Sequence, residues 1–230
     1  MKTPSLLVSS KTESTIEPVP EGLHHGVLTS IYDLGTLFSE KFDIAQRKLV
    51  MTFELPDLAP LYVERDGKRV QLPRVVSLRL TRSLNEKAKL RALLESWRGK
   101  RFTASEMQSL DLGKLLGTPA WVQILHEVKT DGKTFANISN LLPIPKGTPK
   151  PVASSALVLF SVDQLEAPSD LEQAGLPPWI AELVKTSREF ERLVARATKQ
   201  APGTVLPPHW VSRSPHWGVV NLEQFVATFG

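Results

Sequence analysis

Apolar and polar residues alternate along several stretches of the chain, and this period of two marks strands with one buried face. In Lys48-Leu49-Val50-Met51-Thr52-Phe53-Glu54-Leu55, the residues Leu49, Met51, Phe53 and Leu55 share one face, and Pro56 ends the run. In Val76-Ser77-Leu78-Arg79-Leu80-Thr81-Arg82, the pattern sends Val76, Leu78 and Leu80 to a core and Ser77, Arg79 and Thr81 outward. Residues 23–34 read as a strand ending at Asp33-Leu34-Gly35-Thr36. Residues 121–128 form the clearest strand, Asp131-Gly132 turns the chain, and residues 134–141 return. Residues 61–64 and 75–80 flank Asp66-Gly67-Lys68, and an Asp-Gly pair between β-type runs is a hairpin signal.

Helical signals interrupt this pattern. Ser83-Leu84-Asn85-Glu86 has the spacing of a capping box; Leu84, Ala88, Leu90, Leu94 and Trp97 follow at roughly helical intervals, and Gly99 closes the helix. Thr103-Ala104-Ser105-Glu106 starts a second, short helix, and residues 112–116 form a further turn before Gly117. About five strands with helices between the third and fourth predict a mainly β, α+β domain. A stretch from 142 to 151 with four prolines and one glycine is an extended linker. Beyond it, residues 156–162 suggest an edge strand and residues 178–196 one helix with Pro177 and Pro178 at its start. The expected organisation is a flexible N-terminal arm (1–21), a β domain (22–147), an extension with a strand and a helix (148–199) and an irregular tail (200–230).

Composition narrows the chemistry. The 230 residues contain no cysteine, which excludes disulfides, thiolate metal sites and a cysteine nucleophile, and fits a reducing cytoplasm. No apolar run approaches the roughly 20 residues that span a bilayer, and the first residues lack a signal-peptide apolar region, so a cytoplasmic, non-membrane location is expected. The net charge is only +4, but residues 60–102 hold twelve Lys/Arg against four Asp/Glu. A basic segment in an otherwise mildly acidic chain is the footprint of a polyanion partner, or simply a solvated positive face.

Catalytic signatures are weak. The five histidines lack zinc-ligand spacing, and His126 on its strand reads as a satisfied structural residue. Gly113-Lys114-Leu115-Leu116-Gly117 is not a P-loop, and no Gly-x-Ser-x-Gly elbow occurs. Asp57 followed by Asp66-Gly67-Lys68 echoes the carboxylates and lysine of metal-dependent nucleases, although the lysine falls at a turn rather than on a rigid strand. No cofactor and no enzymatic activity are expected. The stronger pattern is cationic plus aromatic on a β scaffold, as in single-strand binders that track phosphates with cations and stack bases on rings. The candidate phosphate contacts are Arg65, Lys68, Arg69, Arg79, Arg82, Lys100 and Arg101, and the candidate stacking rings are Tyr62 and Phe135 beside hairpin turns. Trp97 and Trp121, inside periodic elements, are expected in the core.

The order of local pieces from Gly26 to Gly147 resembles a group of phage and prophage single-stranded DNA-binding proteins with an OB fold. The pieces are Gly26-Val27-Leu28-Thr29-Ser30-Ile31-Tyr32-Asp33-Leu34-Gly35-Thr36; Phe53-Glu54-Leu55-Pro56; Ser77-Leu78-Arg79-Leu80-Thr81-Arg82-Ser83-Leu84 leading into Lys89-Leu90-Arg91 and Trp97-Arg98-Gly99-Lys100; Leu115-Leu116-Gly117-Thr118-Pro119; and Asn137-Ile138-Ser139 before Leu142-Pro143-Ile144-Pro145-Lys146-Gly147. Leu176-Pro177-Pro178-Trp179-Ile180 also looks like that group's extension. The resemblance implies an OB-like five-stranded barrel with a helical insertion and sequence-tolerant protection of single-stranded DNA in replication or recombination. Replication or recombination proteins are the partners this role would bring, and the oligomeric state, a homo-oligomer included, is left open. Such proteins often end in an acidic recruiting tail, whereas Leu222 to Gly230 carries only Glu223 and the aromatics Phe225 and Phe229. A protein-interaction adaptor on the same fold is the alternative, because fold does not fix function.

Overall fold

The computed structural model describes residues 17–40, 43–65, 68–130 and 132–200. Most of the expected N-terminal arm, Asp131 of the second hairpin turn and the expected tail after residue 200 lie outside the described residues. The elements are β1 (Gly22–Ser39), β2 (Ile44–Glu54), β3 (Leu61–Arg65), β4 (Lys68–Leu72), β5 (Val75–Thr81), α1 (Lys89–Arg98), α2 (Ala104–Gln108), β6 (Pro119–Val128), β7 (Thr134–Leu142), β8 (Val158–Ser161), α3 (Asp170–Gln173), α4 (Pro178–Lys185) and α5 (Arg188–Gln200). The chain is mainly β with helices, an α+β architecture. Six strands form one sheet in the order β5-β2-β1-β6-β7, with β8 added parallel to β1 and every other neighbour antiparallel. Among the described residues no ladder joins β5 to β7. The two strands lie against one another, and α1 packs on both.

The alternation anticipated for β2 and β5 governs the first core. Leu49, Met51 and Phe53 of β2 and Val76, Leu78 and Leu80 of β5 meet Val122 and Ile124 of β6 and Ile138 and Leu141 of β7. Helix α1 adds Leu90, Leu93, Leu94 and Trp97, at the spacing of one helix face, to the opening between β5 and β7. Each such side chain taken fully out of water contributes about 1.5–3 kcal/mol.

A second core lies on the opposite face of β1 and β2. There Tyr32, Leu34 and Val50 are covered by Phe160, Val162, Leu171, Ile180, Leu183, Val184 and Phe190. The region after residue 148 is therefore a layer over the sheet. Glu54 fastens the segment that leads to it: its carboxylate accepts hydrogen bonds from the backbone N–H groups of Ser154 (2.7 Å) and Ser155 (2.9 Å) and from the Ser154 hydroxyl (2.8 Å). Because both its faces are covered, β1 is buried without interruption from Gly26 to Gly35.

Four expectations change. β1 does not end near residue 34 but bends at Gly35, whose φ of 82° belongs to the left-handed region, and then runs on to Ser39. A Cβ at Gly35 would stand 2.6 Å from a Glu189 carboxylate oxygen, so close approach of α5 requires glycine there. The hairpin over Asp66-Gly67 closes on Lys68–Leu72 rather than on the Val75 strand; Pro73, which has no N–H to donate, separates the two, and Asp66 and Gly67 themselves lie outside the described residues. The Ser83 box does not start α1. Ser83 Oγ accepts from the Asn85 N–H in a turn, and the helix begins at Lys89, where Leu90 reaches the core. The helix over 178–196 is two helices, because the buried Ser187 caps a new one by accepting the Phe190 N–H (3.2 Å). By contrast, the Thr103–Glu106 capping box forms with both its hydrogen bonds.

Candidate nucleic-acid interface

The hairpin of β3 and β4 stands apart as its own two-stranded sheet, joining β2 to β5. Its alternation is regular. Leu61, Val63, Val70 and Leu72 pair on one face; Tyr62, Glu64, Arg69 and Gln71 pair on the other and are exposed. Tyr62 keeps 55% of its surface exposed, and the Arg69 guanidinium lies 4.3 Å from its ring centre. Lys68 is exposed at the turn. Arg65 pairs with it in the ladder, and its side chain lies outside the described residues.

On β5 the burial alternates as its sequence anticipates, so Ser77 and Arg79 face outward while Leu78 is buried. Arg79 pairs with Val50, which is buried in the second core. Arg79 itself is exposed, yet neighbouring atoms desolvate it enough to lower its pKa. Next along the same face, Lys48 Nζ donates to Gln46 Oε1 and Thr81 Oγ1, both at 2.7 Å. Burial, and then the charge of Arg79, pull the Lys48 pKa down.

Arg82 has a different place from the one anticipated. Its Nη1 donates to Asp33 Oδ2 at 2.7 Å. Arg47 donates to the same carboxylate through Nε (3.1 Å) and Nη2 (2.7 Å) and also pairs with Asp163, while Ser161 Oγ donates to it at 3.2 Å. Burial would raise the Asp33 pKa, but the hydrogen bonds and charges of Arg47 and the charge of Arg82 outweigh it and hold the pKa below the ordinary value. Arg82 is thus half of a structural knot joining β1, β2, the end of β5 and the C-terminal layer.

Lys100 and Arg101 are exposed after the left-handed Gly99 that ends α1. Arg98 beside them is taken by Glu106 (2.6 Å) and lies over the Phe102 ring. Phe135 is the clearest correction among the rings. It is only 8% exposed against 55% for Tyr62, so burial rather than the Lys129 Nζ 4.6 Å from its ring centre keeps its face from a base. Trp97 is core, its Nε1–H donating to the Pro119 carbonyl (3.0 Å). Trp121 is half-buried and stacks on His25 at 4.0 Å between ring centres.

The candidate residues thus fall in three places: the hairpin (Tyr62, Lys68, Arg69), the β2–β5 face (Arg79, with Lys48 added) and the turn after α1 (Lys100, Arg101). Lys48 escaped notice because it precedes the dense basic stretch, although its parity with Val50 and Thr52 marks it as outward-facing. The nuclease-like set is not assembled among the described residues. Asp57 Oδ2 accepts from His25 Nδ1 at 2.5 Å, Asp66 lies outside the described residues, and no group of three His, Asp or Glu side chains comes together there. His126 is satisfied by the Val19 carbonyl (2.8 Å). No protein-family model, curated protein or solved structure matches the chain.

Proposed function

We propose that this chain is a sequence-tolerant single-stranded DNA-binding protein built on an OB-type barrel, serving strand protection in phage replication or recombination. The strand order supports the barrel. β1 pairs with β2 and β6, β2 with β5, and β6 with β7, which leaves β5 opposite β7 and α1 inserted after the third barrel strand. Barrels of this kind take oligonucleotides on the face of the second and third strands, here β2 and β5. One observation carries the function: the hairpin joining those two strands holds an exposed Tyr62 ring with Arg69 against it, and the outer face of the same strands presents Arg79. A base stacks on Tyr62 while Lys68, Arg69, Arg79, Lys100 and Arg101 meet phosphates. Binding is an equilibrium, with no bond made or broken.

The test is fluorescence anisotropy of the full chain with labelled single-stranded DNA, duplex DNA and single-stranded RNA of mixed sequence. Single strands should bind tightest, and affinity should fall with salt at a log–log slope of about −0.7 per phosphate contacted. Preferential duplex binding, or no binding to any of the three, would overturn the proposal.

A further inference from the structure

Helix α5 carries Arg188, Arg192, Arg196 and Lys199, spaced four, four and three residues apart, so all four lie along one stripe. All four are exposed, and none makes a hydrogen bond or ion pair through its side chain among the described residues. Like charges at i,i+4 repel and weaken a helix; the helix dipole favours only the cations of the last turn, so local energetics do not account for the whole stripe. Of the two carboxylates in its first turn, Glu189 is used elsewhere, accepting the Thr36 N–H (2.6 Å) and hydroxyl (2.7 Å) on β1, while the exposed Glu191 lies beside Arg188 and Arg192 and leaves Arg196 and Lys199 without a neighbouring carboxylate on the helix. Between the cations, Ala195 leaves a shallow depression lined by Arg192, Arg196 and Lys199.

The Glu189 contact also locates the stripe. Thr36 pairs with Arg47 across β1 and β2, and the Arg47 carbonyl accepts the Arg82 N–H from the strand beyond. Helix α5 therefore starts over β1, on a cross-strand row adjacent to that of Lys48 and Thr81 on the β2–β5 face that bears Arg79.

We infer that the α5 stripe is a second phosphate-binding element, which takes the backbone of the single strand beyond the β2–β5 face. This rests on the proposed single-strand binding and extends it to a site outside the barrel. A membrane surface is the competing polyanion, but a helix lying in a lipid interface needs a free apolar face. The apolar face of α5 is already spent, because Phe190, Leu193 and Val194 pack in the second core.

The experiment compares three full-length proteins by anisotropy with labelled oligothymidylate over a salt series: the unaltered chain, Arg192→Ala/Arg196→Ala/Lys199→Ala, and Arg192→Lys/Arg196→Lys. The alanine variant should bind at least about fivefold more weakly, with a salt slope shallower by about 2 for three lost phosphate contacts. The lysine variant should keep both affinity and slope, because a phosphate contact needs the charge. Circular dichroism melts confirm that each variant is folded. If the alanine variant binds like the unaltered chain while Tyr62→Ala binds weakly, the α5 site is overturned and the barrel site stands. If the unaltered chain binds no oligonucleotide, the proposed function fails first. Co-sedimentation with phosphatidylserine vesicles, if lost in the alanine variant, would then reassign the stripe to lipid.

Discussion

Arg79 and Leu78 are adjacent in sequence and opposite in role, since successive side chains on a strand point to opposite faces. Arg79→Ala should weaken single-strand binding several-fold and leave stability within about 0.5 kcal/mol, as exposed substitutions usually do. Leu78→Ala should cost roughly 2–5 kcal/mol through the cavity it leaves in the first core. Chemical denaturation and anisotropy on the same two variants check the pair, and exchanged phenotypes would mean that the outward face is misassigned. Arg82, just past the end of β5, is cationic like Arg79 but engaged with the buried Asp33. Arg82→Ala should therefore destabilise by about 1.5 kcal/mol, as read by denaturant midpoint. That is the low end of the range for hydrogen bonds to charged groups, because Arg82 is half-exposed and Arg47 remains on Asp33. Gly35→Ala meets both a left-handed φ and the Glu189 carboxylate, and should loosen α5 at a cost of at least about 1 kcal/mol.

Among the elements, the β3–β4 hairpin contributes no residue to either core. Its surface can therefore be altered with little effect on the rest of the fold. Tyr62→Ala should leave the melting temperature almost unchanged and weaken binding by about 1–3 kcal/mol, the range for stacking of one base on an aromatic ring. An unchanged affinity would remove the hairpin from the interface. Helix α5 has a different character: one side completes the second core while the other is exposed and predominantly cationic. Its docking depends on Glu189 and Phe190 in its first turn, which reach β1 and the second core.

At the scale of the whole molecule, carboxylates hold the C-terminal layer to the sheet. Asp33, Glu54 and Glu189 are each pulled upward in pKa by burial but pushed further down by the hydrogen bonds they accept. A carboxylate whose folded pKa lies below its unfolded value stabilises the fold above the unfolded value, which is about 4. That stability is lost as pH falls through the folded value. The melting temperature should thus be nearly flat from about pH 7 to 5 and drop below about pH 4. Glu54→Gln should remove part of that acid dependence, because its amide cannot accept from Ser154 and Ser155 as a charged group does. Calorimetric melts of both proteins across this pH range provide the check.

β2 and β5 were legible from the sequence because a period of two is local: it follows from the pleat and needs no knowledge of what lies opposite. The faces of β2 and β5, the Thr103 cap and the return of β7 all come from such short-range rules. Some cations of the candidate interface, Arg79 above all, are readable in the same way. What covers an outward face was not legible. Tyr32, Leu34 and Val50 lie on the polar side of the alternation, and only chain more than a hundred residues later buries them. Arg82 looks as free as Arg79 until Asp33, forty-nine positions earlier, is brought to its guanidinium. Phe135 sits beside a turn, as an open ring would, and only the fold buries it. The α5 cations stand at helical spacing in the sequence, but whether the opposite side of that helix is free for lipid or already packed is a long-range fact. Alternation and capping act within a few residues, whereas burial and charge pairing depend on which distant segments meet, and tertiary structure alone decides that.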